Sequence, residues 1–193
     1  MSKRAQTFRS AGNALTGALT VVVTLTLAAF GGFYPDAGWP DWLIAAMVLL
    51  AVAAYVAQIR PAVVLGETHL TLRNMLQTVH VPWPAVGEVL VRQVLTVEVG
   101  ERVFDCPAVG RSARQIARDE TMPLEHHATE DSYGLLIENL IRKRAAEARS
   151  GQGIEEASPE QAALADAVRR VRAWPEIVLL VAAVAGLVMA IAV

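Results

Sequence analysis

The chain of 193 residues is 54% hydrophobic and 19% charged, with a mean hydropathy of +0.38, more apolar than one soluble core of this size requires. Its 17 basic and 19 acidic residues leave a formal charge of -2, which excludes a strongly basic nucleic-acid binder, and the composition excludes a disordered chain. Cys106 is the single cysteine, so neither an internal disulfide nor a cysteine-pair zinc site can form.

After a basic start with Lys3, Arg4 and Arg9, residues 14–33 carry no charge and supply about the 20 apolar positions that a bilayer core demands. The connection that follows contains Pro35, Gly38 and Pro40, and residues 42–59 form a second uncharged run that stops at Arg60-Pro61. A third apolar run over 177–193, extended to 174 by Trp174 and Pro175, is at the short end of what can cross. A cleaved signal peptide is the rival reading of the first run. That run exceeds a signal's usual apolar stretch, however, and Ala28-Ala29-Phe30-Gly31 makes a poor cleavage site.

Lys and Arg flank these runs at Lys3, Arg4, Arg9, Arg60, Arg169, Arg170 and Arg172, whereas the 34–41 connection has none. The asymmetry places the N-terminus and residues 60–173 in the cytoplasm and the C-terminus outside an inner (plasma) membrane. No ionisable group lies within the runs, so a transporter or proton relay is disfavoured. Small residues recur on single faces, as Ala182, Gly186 and Ala190 in the third run and Thr16, Thr20 and Thr24 in the first, and would permit close helix packing.

Residues 61–107 change to short β-branched runs: 63–65, 69–73, 78–81, 88–91, 94–99 and 102–106. Leu70 and Leu72 alternate with His69, Thr71 and Arg73, the pattern of an antiparallel sheet with one wet face, and Asn74 and Gly100-Glu101 mark reversals. Leu70, Leu72, Val79, Val81, Trp83, Val89 and Val91 are the expected core.

Arg60-Pro-Ala-Val-Val-Leu-Gly-Glu-Thr-His-Leu-Thr-Leu-Arg-Asn74 and Thr78-Val-His-Val-Pro-Trp-Pro-Ala-Val86 resemble the start of the bacterial PH-like domains that follow two membrane helices in actinobacterial proteins of the low molecular weight protein antigen 6 type. The resemblance spans about residues 60–107 and the preceding helical hairpin. It implies a PH-like β-sandwich or barrel closed by a helix, in a membrane-associated protein of poorly defined activity. The long polar segment and third apolar run depart from that pattern.

Asp131 or Ser132 can cap a helix in which Tyr133, Leu136, Ile137, Leu140 and Ile141 form one stripe that should pack on the sheet; the basic residues after it make the membrane surface a competing site. Gly151-Gln-Gly153 reads as a flexible break. Ser158-Pro159-Glu160-Gln161 then reads as the capped start of an amphipathic helix to about Ala173, kinked by Pro175. The expected organisation is a basic arm and helical hairpin over 1–59, a PH-like domain over 60–150, a linker and amphipathic helix over 151–173, and a membrane helix over 174–193. The fold class is α+β: three transmembrane helices plus an antiparallel β-domain.

Chemistry is sparse. Glu125, His126 and His127, with Glu130 and Asp131 nearby, invite a metal or acid–base site, but adjacent histidines point apart and no second ligand pair completes a shell, which favours a solvated loop. His69 and His80 fall on neighbouring strands, where wet-face pairing explains them. Cys106 reads as a buried small hydrophobe and Gly151-Gln-Gly153 lacks a phosphate-loop pattern. Arg111, Arg114 and Arg118 at helical spacing are candidate contacts for headgroups or a partner. The expectation is a non-enzymatic binding or scaffold module without cofactor. Its expected partners are the bilayer, a membrane or cytoplasmic protein and a second copy of the chain, but no nucleic acid; the Ala182, Gly186 and Ala190 face is expected to pack the third helix against the first two. A small membrane enzyme built around Glu125, His126 and His127 is the alternative.

Overall fold

The structure, a computed structural model, describes residues 5–110 and 132–192. The described residues divide into two compact units, one formed by residues 5–10, 62–74, 78–110 and 132–171, the other by 11–61, 75–77 and 172–192.

The first unit is an antiparallel β-domain. Strands β1 (Gln6–Phe8), β2 (Ala62–Leu65), β3 (His69–Arg73), β4 (Gln77–Pro82) and β8 (Arg169–Arg172) form one sheet in the order β1-β2-β3-β4-β8. Strands β5 (Val89–Val91), β6 (Leu95–Val99) and β7 (Arg102–Cys106) form a second. The alternation read from the sequence decides which face is dry. Leu65 pairs with Leu70 and Leu70 with Val81, while Val63 pairs with Leu72 and Leu72 with Val79, and all six are fully buried. Val89, Val91, Leu95, Val97 and Val99 fill the same core from the second sheet. Each such side chain contributes about 1.5–3 kcal/mol relative to exposure. Trp83 is 3% exposed and donates its indole N–H to the Gly66 carbonyl at 3.1 Å, as a buried indole requires. The seven expected core residues are all buried. Among the described residues the sheets do not close into a barrel.

Helix α3 (Ser132–Ser150) packs on β5 and on the 3-10 turn Trp83–Ala85. Its buried stripe is Ile137, Ile141 and Ala145, with Leu140 partly covered, whereas Tyr133 and Leu136 are about half exposed. Packing on the domain therefore prevails over the membrane-surface placement for this helix.

Two segments differ from the sequence reading. The basic arm is not a free flank, since Gln6, Thr7 and Phe8 pair with Leu65, Val64 and Val63, and Ser10 N–H donates to the Ala108 carbonyl at 2.7 Å. The second difference lies over 151–173. Ser158 caps a helix as expected, accepting from Gln161 N–H at 3.2 Å, but that helix, α4, covers only Pro159–Ala163. A 3-10 turn (Leu164–Ala167) and β8 follow, and Leu164, Ala165 and Val168 join the core. Strand pairing at the open edge of β4 outweighs the helical preference of this segment. It belongs to the domain rather than to a linker. Pro175 sits in the first turn of the next helix, where its missing N–H is not needed, instead of kinking a longer one.

The second unit holds α1 (Ala11–Phe33), α2 (Asp41–Ala54, continued by a π-helical turn Tyr55–Ile59) and α5 (Trp174–Ala192). Gly12–Phe33, Asp41–Ile59 and Trp174–Ala192 are long and apolar enough to cross a membrane. Helix α2 packs against both others. The covered face of α1 is Gly17, Thr24, Ala28 and Gly31. A Cβ on Gly17 would come within 2.7 Å of Gln58 Cβ, and one on Gly31 within 2.7 Å of the Trp39 ring. Close helix approach depends on these two glycines. Of the expected threonine face only Thr24 is buried; the Thr16, Thr20 and Thr24 hydroxyls each donate to the carbonyl four residues earlier.

Candidate functional site

The sites nominated from the sequence are distributed as follows. Arg111, Arg114, Arg118, Glu125, His126 and His127 lie outside the described residues. On α5 the partly covered positions are Ile177, Leu180, Ala183, Leu187 and Ala190. Ala182 and Gly186 are exposed, and a Cβ at Gly186 would meet nothing within 4 Å, so within one chain only Ala190 of the nominated face is partly covered. Cys106 is buried, and burial pushes its thiol up to about 11, which keeps it protonated and unreactive at neutral pH. Among the described residues no three His, Cys, Asp or Glu side chains converge as a metal-ligand set.

His69 and His80 are diagonal neighbours rather than a facing pair, because the register sets Thr71 opposite His80 and Pro82 opposite His69. Thr71 Oγ1 lies 3.1 Å from His80 Nδ1. Burial, then the neighbouring His69, Arg169 and Arg73, hold the His80 imidazole below its ordinary pKa.

Sequence reasoning did not anticipate the polar seam beneath α3. Glu138, 8% exposed, accepts the backbone N–H of Val91 at 3.0 Å and pairs with Arg142 at 2.9 Å, and Arg142 donates to the Val89 carbonyl at 2.8 Å. Arg149, 7% exposed, donates to the Val86 carbonyl at 2.6 Å, and Gln161 Nε2 donates to the same carbonyl at 3.0 Å. Arg144 donates to the Leu65 and Gly66 carbonyls and stacks over Trp83 at 5.8 Å. The basic residues after the apolar stripe thus turn onto backbone carbonyls at Leu65, Gly66, Val86 and Val89. The glutamates and arginines at i, i+4 spacing were the available signal, and they read equally well as a solvated helix face.

Beside this seam two adjoining clefts, about 430 and 470 Å³, share Gly87, Glu88 and Glu156 as walls. Gly87 allows a close approach here, since a Cβ would lie a tight 3.1 Å from the Glu98 carbonyl oxygen, to which Gly87 N–H donates at 2.8 Å. Glu98 and Ser158 complete the 430 Å³ cleft, and Ala157, held at a left-handed φ of 58°, forms its rim. The Arg149 guanidinium is drawn inward by Val86, leaving Glu156, 3.3 Å from it, with a side chain 71% exposed. The charged residues lining the 430 Å³ cleft are Glu88, Glu98 and Glu156, an arrangement that suits a cationic group presented from outside, whereas Arg142 lines the adjoining cleft.

Comparison with protein-family models, curated proteins and solved structures finds no match for this chain.

Proposed function

We propose that the chain is a membrane-tethered, PH-like binding or scaffold module that acts without catalysis, engaging a protein partner at the cytoplasmic face of the inner membrane. The observation that carries this reading is the connectivity. The chain leaves the β-domain for α1, returns from α2 and leaves again for α5, so helices that span would set β1 and residues 62–171 on one side. The Lys and Arg asymmetry makes that side the cytoplasm. Two antiparallel sheets around one core with a helix packed on them support the PH-like assignment, and the carboxylate-rimmed cleft at Glu88, Glu98 and Glu156 supports a partner presenting Lys or Arg.

The test is photo-crosslinking in native membranes from a reactive residue placed at Ala162, on the cleft wall. A discrete protein adduct is expected, lost when Glu88→Lys and Glu98→Lys are combined. Adducts that persist through both charge reversals would remove the cleft as the partner site. Impermeant labelling of a cysteine at Asp36 but not at Gln152 in intact cells is the expected topology result.

A further inference from the structure

None of the five strands β1, β2, β3, β4 and β8 contains an Asp or Glu, yet together they carry Arg73, Arg169, Arg170, Arg172, His69 and His80. The register sorts these residues by face. Leu70 and Leu72 point into the core, so His69, Thr71 and Arg73 point out, and pairing aligns Thr7, Val64, Thr71 and His80 in one row across that outer face. Arg170 is exposed but takes the side of the strand that faces Phe104, its guanidinium 4.8 Å from the centre of that ring, so Arg169 takes the other side, beside His80, on which it acts electrostatically. Among the described residues no carboxylate pairs with Arg73 or Arg169, and the charged groups that perturb His80 are all basic.

We propose that this outward sheet face, presenting His69, Arg73, His80 and Arg169, docks on the anionic phospholipid headgroups of the bilayer in which α1, α2 and α5 are held. The inference rests on the membrane reading above and adds a second ligand surface to it. Charge complementarity selects an anion, and chain connectivity selects the lipid source. Strands β1, β2 and β8 continue into α1, out of α2 and into α5 with at most two intervening residues each. Arg73 lies opposite Ala62, three residues along the chain from the end of the π-helical turn at Ile59, at most about 10 Å of backbone. That reach is comparable to the Debye length of about 8 Å at physiological salt. A phosphate free in solution gains nothing from this tether, whereas headgroup phosphates are held at high local concentration. The threonines between the basic residues are short, so guanidinium groups can reach phosphate oxygens without steric competition.

The experiment uses the full chain in nanodiscs of phosphatidylcholine with or without phosphatidylglycerol, and a fluorophore on Thr7→Cys; native Cys106 is buried and stays unlabelled. Quenching by headgroup-nitroxide lipid should rise when phosphatidylglycerol is present. Arg73→Ala with Arg169→Ala should abolish the rise, with the docking equilibrium falling about fivefold per arginine. Arg73→Lys with Arg169→Lys should retain it, which separates charge from misfolding. Equal quenching in both lipid compositions, or a rise that survives the double alanine variant, overturns the inference, as does displacement of the label by free glycerol phosphate at constant ionic strength. A second label at Gly186→Cys, quenched by acyl-chain nitroxide, reports embedding of α5. If that label is not quenched, the membrane reading fails and the inference with it; if it is quenched while Thr7→Cys is indifferent to phosphatidylglycerol, only the sheet-face inference fails.

Discussion

The β-domain and the three apolar helices solve the burial problem in opposite ways. In the domain, Leu65, Leu70, Leu72, Val79, Val81, Leu95, Ile137 and Ile141 are fully enclosed by the protein itself. In the helices, Leu15, Leu19, Val22, Phe33, Val178, Val181, Val188 and Ile191 remain largely exposed, and α5 buries no residue. What the helices do bury is mostly small: Gly17, Thr24, Ala28, Gly31, Ala51 and Ala54, with Val56 in the π-helical turn. The domain is stabilised by expelling water from large side chains, whereas the helices, long and apolar enough to cross a membrane, approach closely through small residues and leave their large side chains uncovered by the protein. The difference teaches that similarly apolar stretches can bury either their large or their small side chains, and the position of the small residues tells which.

The largest expected effect is on the domain side. Trp83→Ala removes a nearly enclosed indole together with its hydrogen bond to Gly66, and denaturant titration of the domain signal should show a loss of about 3–5 kcal/mol. A loss below about 0.5 kcal/mol would contradict its place in the core. On the helix side, the counterpart is Gly17→Leu, which forces a side chain against Gln58 and Ile59 and should destabilise the α1–α2 pair by about 1–3 kcal/mol. Disulfide trapping between cysteines in α1 and α2 measures it. Gly186→Leu, with open space around it, should leave trapping within the chain unchanged.

Glu138→Ala should cost the domain about 1–3 kcal/mol by orphaning the buried Val91 N–H, while Glu138→Gln keeps an acceptor there and should recover part of the loss. Between helices, the Arg60–Glu176 pair at 2.7 Å joins the C-terminal end of α2 to the first turn of α5, so each charge sits where its helix dipole favours it. A double-mutant cycle on Arg60→Ala and Glu176→Ala should return a coupling of about 1 kcal/mol.

The smallest effect is a pH dependence. His80 titrates below its ordinary 6.5 in the folded domain, so the unfolded chain binds more protons there. Its contribution is full above about pH 6.5 and declines as pH falls through that value toward the lowered folded pKa. His80→Asn should flatten this part of the stability profile, and an unchanged slope would show that another group is responsible.

Local pattern was enough to place three apolar helices, six of the eight strands and the Ile137, Leu140 and Ile141 part of the α3 stripe, because each is set by a periodicity or an uncharged length that the chain carries by itself. Strands β1 and β8 were illegible for the opposite reason. Gln6-Thr7-Phe8 is too short to show a period and Arg169-Arg170-Val171-Arg172 has no strand composition, so both become strands only because β2 and β4 offer open edges. The candidate sites divide in the same way. That His69, Arg73 and His80 lie on a wet face followed from alternation, but the arrival of Arg169 beside them, and the inward turn of Arg142, Arg144 and Arg149 onto strand carbonyls, depended on tertiary pairing. Sequence alone determines which side chains avoid water; whether a charged side chain meets solvent, a carbonyl or another charge is decided by which backbone edges the fold brings to it.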